Sequence, residues 1–267
     1  MPATFWKGAI NIGLVVIPVR LYVATRNVTP RFHMLHKKDH ARVKQVLYCP
    51  KHEEYISRKD VVKGYEYPKG KYVVFSDKDF ERVPVDARHR INVKAFVDLD
   101  QIDPGYFYDM HYLEPEEVGS RAYVLMREVL RETDRVAIGK VTFQTREHLC
   151  CIRPSGHLLV LDLLHYAAEI EDPGDIEIPE EDLDKDELDM ARTLVDRMTR
   201  DFEPEHYEDK YRVSLENVIQ AKIRGEEPSP VKEKEPEISS SLADALRQSV
   251  EQADKKHKEK AGSGSKE

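Results

Sequence analysis

Long apolar runs are missing from this chain. The longest, from Gly13 to Val19, contains Pro18 and is closed by Arg20, far short of the ~20 residues a membrane-spanning helix needs. A spanning segment is therefore excluded. The opening residues, Met1 to Lys7, place no basic stretch ahead of an uninterrupted apolar one, so no secretory leader is expected and the expected compartment is the cytoplasm. Cysteine is also scarce. There are three, two of them the neighbours Cys150 and Cys151, which rules out a multi-bridge disulfide framework and fits a reducing compartment. On a strand those neighbours face opposite ways, so at least one is expected in the core. Neither glycine pattern that cradles phosphate, the P-loop or the dinucleotide fingerprint, occurs, which disfavours nucleotide hydrolysis. The nucleophile-elbow spacing is absent as well, and Ser155-Gly156 after Pro154 reads as a hairpin turn. No helix-turn-helix, aromatic RNA-binding or zinc-finger signature is visible, so no module that reads bases is expected.

What is present suffices for one sizeable core or two small ones: 267 residues, 40% of them hydrophobic. Phe5 to Ala24 mixes β-branched and aromatic residues with Gly8, Gly13 and Pro18, and reads as two short strands or one bent strand. Its expected inward side chains are Leu14, Val16, Val19, Leu21 and Val23. Further strand-like runs are Lys71 to Phe75, Ile91 to Leu99, Phe107 to Leu113, Val136 to Phe143, Leu149 to Ile152 and Leu158 to Leu164. With one clear helix among them, these runs predict an α+β fold with an antiparallel β-barrel core. That helix is expected over Arg121 to Arg135, with Ser120 as its N-cap and Leu125 and Val129 on its apolar face. Beyond the Pro173, Gly174 and Pro179 break, Leu188, Ala191, Leu194, Val195, Met198 and Phe202 recur at helical spacing, and a shorter helix is expected after Ser214, carrying Leu215, Val218, Ile219 and Ile223 and ending near Gly225. The folded body is thus read as residues 1–225, with a helical arm at about 180–225. Residues 226–240, rich in proline and charge, read as an extended linker. Residues 241–267 read as a short amphipathic helix, striped by Leu242, Leu246 and Val250, and a lysine-bearing tail. Such a stripe on a tether suits a docking peptide.

The net charge of −8 hides a segregation along the chain. Residues 1–75 carry a net +9, residues 76–168 a net −4, residues 169–209 a net −14 and residues 210–267 a net +1. A basic front on an acidic protein points to a polyanion partner. The candidate contacts are Arg20, Arg31, His36, Lys37, Lys38, Arg42, Lys44, Arg58, Lys59 and Lys63, spread evenly rather than bunched. That spread suits a path along a phosphate backbone, with binding that ignores sequence and weakens with salt.

The rival reading is an enzyme, a metal-dependent nuclease using the carboxylates and the His cluster. His33, His36, His40, Cys49 and His52 are metal-ligating residue types, but only Cys49 and His52 have a ligand-pair spacing and no second pair follows at zinc-finger distance. No bound metal and no cofactor are expected. The carboxylates between Glu169 and Asp209 could hide a metal-dependent nuclease, yet they keep no fixed spacing. A protein-interaction scaffold with no DNA role is the third reading.

Longer stretches carry a resemblance. FWKGAINIGLVVIPVRLYVAT, RFHMLHKKD, YVVFSDKDFERV, FVDLDQIDPGYFYDMHYLEP and SRAYVLMREVLRETDRVAIGKVTF resemble segments of the bacterial Ku proteins, the DNA-end-binding factors of non-homologous end joining. So do AEIEDP and DFEPEHYEDKYRVSLENVIQAKI, and the likeness covers nearly the whole chain. It implies a Ku core, SPOC-like β-barrel with helical arms, paired as a homodimer whose bridges, here about residues 25–75, form a ring threaded by double-stranded DNA. Such a ring has no enzymatic activity. It protects and bridges DNA ends and recruits the ATP-dependent DNA ligase D, and the expected location becomes the cytoplasmic nucleoid. The stripe of Leu242, Leu246 and Val250 is then the candidate ligase contact. Some relatives have Cys-x-x-Cys where this chain has Cys49-x-x-His52, and the tail resembles the family's shorter type.

Overall fold

The computed structural model describes residues 4–82, 89–143, 146–227 and 242–251. It divides into two compact units, one formed by residues up to 173 without 29–31, the other by residues 29–31 and those from 174 onward.

The first unit is built on a closed barrel of seven strands. Of the two readings of Phe5 to Ala24, the structure has the two strands, β1 (Trp6–Ile12) and β2 (Val15–Val23). They are joined by Gly13-Leu14, with Gly13 at φ +58°, a positive φ that a two-residue hairpin turn demands of its first residue. The inward set of β2 is Ile17, Val19 and Leu21, all fully buried, while Leu14, Val16 and Val23 are exposed. The turn consumes Leu14, and period-2 alternation then puts Ile17, not Val16, on the core face.

Residues 24–82 leave the barrel and carry two small hairpins, β3 (Leu47–Cys49) with β4 (Glu54–Ile56) and β5 (Lys63–Glu66) with β6 (Tyr72–Phe75), followed by the one-turn helix α1 (Asp77–Glu81). The strand expected at Lys71 to Phe75 is therefore present, outside the barrel. The chain returns as β7 (Arg90–Asp98), which lies parallel to β1, Ile10 opposite Ile91. The barrel is thus mixed rather than antiparallel. Parallel neighbours need a long crossover, and residues 24–82 form most of it, with β2 ending beside the start of β1 and β7 beginning opposite Ala9.

The remaining strands, β8 (Phe107–Pro115), β9 (Arg135–Phe143), β10 (Arg146–Ser155) and β11 (Leu158–Leu164), close the barrel in the order β1-β2-β8-β11-β10-β9-β7. The helix α2 (Ser120–Glu132) covers it. Gly119 occupies its N-cap position, and Ser120 instead donates its hydroxyl to the Glu116 carbonyl. Its buried side chains are Tyr123 and Leu130, with Ala122 and Met126 beside them, whereas Leu125 and Val129 are exposed. The helix is thus rotated about one residue from the expected face. Tyr123 explains that rotation: its hydroxyl donates to the Leu113 carbonyl at 2.6 Å and accepts from the Leu159 amide at 2.7 Å, so backbone groups of two strands pin the ring inward. Cys150 joins this interior cluster. Cys151 joins a second cluster on the opposite face of β10, with Val136 and Leu164, covered by Ile102, Tyr106 and Phe107. Both thiols are core, one in each cluster.

The second unit is helical: α3 (Lys185–Met198), α4 (Lys210–Ile223) and a helical stretch at 242–251. Asp184 caps α3 and Asp209 caps α4 by accepting backbone N–H groups. The cap of α4 therefore lies five residues before Ser214, and Gly225 at φ +77° follows its end. No described residue of this unit is buried. The expected linker falls mostly outside the described residues.

Candidate nucleic-acid interface

No residue between 24 and 82 is buried. A stretch this long cannot hold its shape by burial, and local hydrogen bonding does the work instead. At 35–42 a tight turn is closed by the Leu35–Arg42 bridge, by the His36 amide to the Ala41 carbonyl at 2.8 Å and by the His40 amide to the His36 carbonyl at 2.9 Å. Asp39 reinforces it, accepting the Ala41 amide at 3.0 Å and lying 3.2 Å from His36 Nδ1. His40 takes the left-handed conformation at φ +57°. The side chains of Lys37, Lys38 and Arg42 take no part in these bonds; all three are exposed on this one turn. A second turn is capped by Ser57, whose hydroxyl donates to Asp60 at 2.7 Å and accepts the Lys59 amide at 3.2 Å. It displays Arg58 and Lys59.

Of the ten candidate contacts, Arg31, Lys37, Lys38, Arg42, Lys44, Arg58 and Lys59 are exposed and in no ion pair among the described residues. A cation that spends no charge on a neighbour is available to phosphate. His36 faces Asp39. Lys63 sits 4.5 Å over the Phe80 ring and 3.8 Å from Asp77, so β5 is tied to α1 through it. Arg20 stands apart from the rest. It lies on barrel strand β2, half-buried between Glu116 at 3.4 Å and Glu114 at 3.7 Å, and Lys7 reaches Glu116 at 2.8 Å. The Lys7 ammonium, with Arg20 behind it, holds the Glu116 carboxyl below its ordinary range.

Charge counting overlooks the aromatic side chains of the same stretch. Tyr48 and Tyr55 meet edge-on across β3–β4 at 5.4 Å, and Tyr65, Tyr67 and Tyr72 stand exposed on and beside β5–β6. Phe32, Met34, Leu35, Val61, Val62 and Val74 are exposed with them. Lys69 and Lys71 add cations at the β5–β6 turn. The signal was the alternation of Tyr65 and Tyr67 with charged or turn residues, which marks a strand with one apolar face.

Cys49 Sγ and His52 Nδ1 come within 3.3 Å across the β3–β4 turn. Among the described residues, no three His, Cys, Asp or Glu side chains gather as a metal site requires, at this turn or along the acidic helices. No described helix is long and apolar enough to cross a membrane. The tail stripe lies in the helical stretch 242–251, with Leu242 exposed and Leu246 and Val250 half-buried.

Residues 11–190 match the family model described as the Ku70/Ku80 beta-barrel domain. The chain is 40% identical over 262 residues to the "Non-homologous end joining protein Ku" of Solibacter usitatus, covering 98% of each chain. It is 35% identical over 261 residues to the protein of that name from Bacillus subtilis, covering 96% of this chain and 84% of the relative. Among solved structures, the SPOC domain of human PHD-finger protein 3 aligns with 61% of this chain and 95% of its own at 12% identity, with a TM-score of 0.29.

Proposed function

The chain belongs to the Ku family, and we propose that it binds double-stranded DNA ends without regard to sequence, as a homodimeric ring acting in non-homologous end joining at the nucleoid. The observation that carries this reading is the excursion at 24–82, which has no buried residue yet displays seven of the ten candidate contacts outside any ion pair among the described residues. Cations on turns stiffened by their own hydrogen bonds suit phosphates, which repeat along any duplex; they read no base edges. The exposed Phe32, Met34, Tyr48, Tyr55, Tyr65 and Tyr72 supply a second surface. Apolar exposure on this scale calls for a protein partner, and a second copy of the same excursion, related by a twofold axis, closes the ring. A closed ring admits DNA only at an end. It performs no chemistry of its own: it shields the ends, holds them together and presents them to the ATP-dependent ligase D, which docks on Leu242, Leu246 and Val250.

The test is a competition gel shift with a labelled linear duplex challenged by equal masses of linear and closed-circular DNA. Stripping of the complex by linear DNA alone is the expected result. Equal competition by the circle would make the protein a general DNA coater and remove the ring.

A further inference from the structure

The tail helix is not free-standing. Along residues 242–251 the half-buried positions are Ala243, Ala245, Leu246 and Val250, and the remainder is exposed. On α3 the half-buried positions are Glu187, Met190, Ala191 and Leu194, a single face at helical spacing. The two faces meet. One open pocket of about 400 Å³ is lined by Asp189, Met190 and Thr193 of α3 together with Arg247, Val250 and Glu251 of the tail helix.

We propose that α3 holds the tail helix in cis, and that this contact competes with the trans partner for the Leu246 and Val250 side chains. This rests on the reading of that stripe as the ligase contact. The chemistry suits a latch rather than a permanent joint. No residue on either face is fully buried, so little apolar area holds the pair, and a ten-residue helix is marginal by itself in water. Covalent connection compensates, because an intramolecular encounter works at an effective concentration near the millimolar range. Charge favours the same pairing. Arg247 of the tail helix lines the same pocket as Asp189 of α3, within a stretch, residues 169–209, that carries a net −14. A latch closed nine-tenths of the time would weaken the apparent affinity for the trans partner about tenfold and slow amide exchange under the contact by a similar factor.

Hydrogen exchange of the full chain, read by mass spectrometry, tests the contact from both sides. Val250→Asp should speed exchange over 187–194 about tenfold, and Met190→Asp should do the same over 242–251, with the barrel peptides unchanged as the control for folding. Arg247→Glu, at an exposed position beside Asp189, should move both segments in the same direction without touching an apolar contact. Binding to purified ligase D is measured on the same variants. Met190→Asp should tighten it about tenfold, and Val250→Asp should abolish it. Unchanged exchange over 187–194 in Val250→Asp would overturn the latch whatever the ligase does. Faster exchange with ligase binding untouched by Val250→Asp would leave the cis contact standing and remove the ligase reading. Unchanged ligase affinity in Met190→Asp, with Val250→Asp inactive, would overturn the competition.

Discussion

Replacing Lys37, Lys38 and Arg42 by glutamine should weaken DNA binding by an amount that salt itself predicts. The turn that carries them is held by backbone bonds between His36, His40 and Ala41 and by Asp39, so removing three charges leaves its frame intact. Each phosphate contact releases ~0.9 counterion from duplex DNA, so three lost contacts flatten the slope of log affinity against log salt by about 2.7 per protomer, and by about 5.4 if both copies in a ring engage. Referred to about 1 M salt, where this term vanishes, the smaller figure corresponds to a loss of about 170-fold at roughly 0.15 M and about 3,000-fold at roughly 0.05 M. The loss should be the same on duplexes of unrelated sequence, because phosphates are common to all of them. Fluorescence anisotropy over a salt series, on three such duplexes, measures both quantities, with circular dichroism to confirm the fold. A variant whose slope matches the parent would show that this turn does not meet phosphate. A loss confined to one sequence would show base reading, which the proposed contacts do not allow.

Acid should loosen the barrel through His111. It is 1% exposed, its Nδ1 has no hydrogen-bond partner among the described residues and its Nε2 lies 3.9 Å from Asp109, and burial holds its pKa below the ordinary histidine value of about 6.5. The unfolded chain therefore takes up the proton first, so the stability contributed by neutral His111 is present above about 6.5 and is lost as pH falls below it, toward the folded value. His148, lowered mainly by desolvation, acts in the same sense. His111→Gln should flatten the fall of Tm between about pH 6.5 and 5, and an unchanged acid limb would refute this assignment. Thiol chemistry should be confined to Cys49. Cys150 and Cys151 are fully buried, and desolvation raises both thiols, that of Cys151 to about 12, so iodoacetamide should modify one residue of the native protein, identified by peptide mapping. Removing Arg153 should cost about 3–5 kcal/mol. Its Nε lies 2.6 Å from Asp162, which is 4% exposed, so Arg153→Met strands a buried carboxylate. The urea midpoint reads the loss, and Arg153→Met with Asp162→Leu should recover most of it.

The barrel was legible wherever one strand carries its own pattern. Leu158 to Leu164 is apolar but for Asp162, and β11 runs over those residues with all but Leu158 buried. Closure was not legible. That β7 pairs parallel with β1 depends on where the chain re-enters the barrel at Arg90, and no local period encodes a pairing across so many residues. The phase of α2 turned on a polar atom, since Leu125 and Val129 have the right spacing for a core stripe and lose the inside to the hydroxyl of Tyr123. At the candidate interface, charge counting picked out the excursion because cations need no partner in order to be exposed. The same reasoning passed over its tyrosines and valines, since an apolar residue in a strand-like run is ordinarily assigned to a core in its own chain. Here that assignment fails for a physical reason. A two-stranded hairpin has too little surface to bury one of its own faces, so Tyr65, Tyr72 and Val74 remain outside. Retaining such residues in a segment that otherwise reads as a solvated basic path is costly for a monomer, and it is this cost that the second copy in the proposed ring relieves.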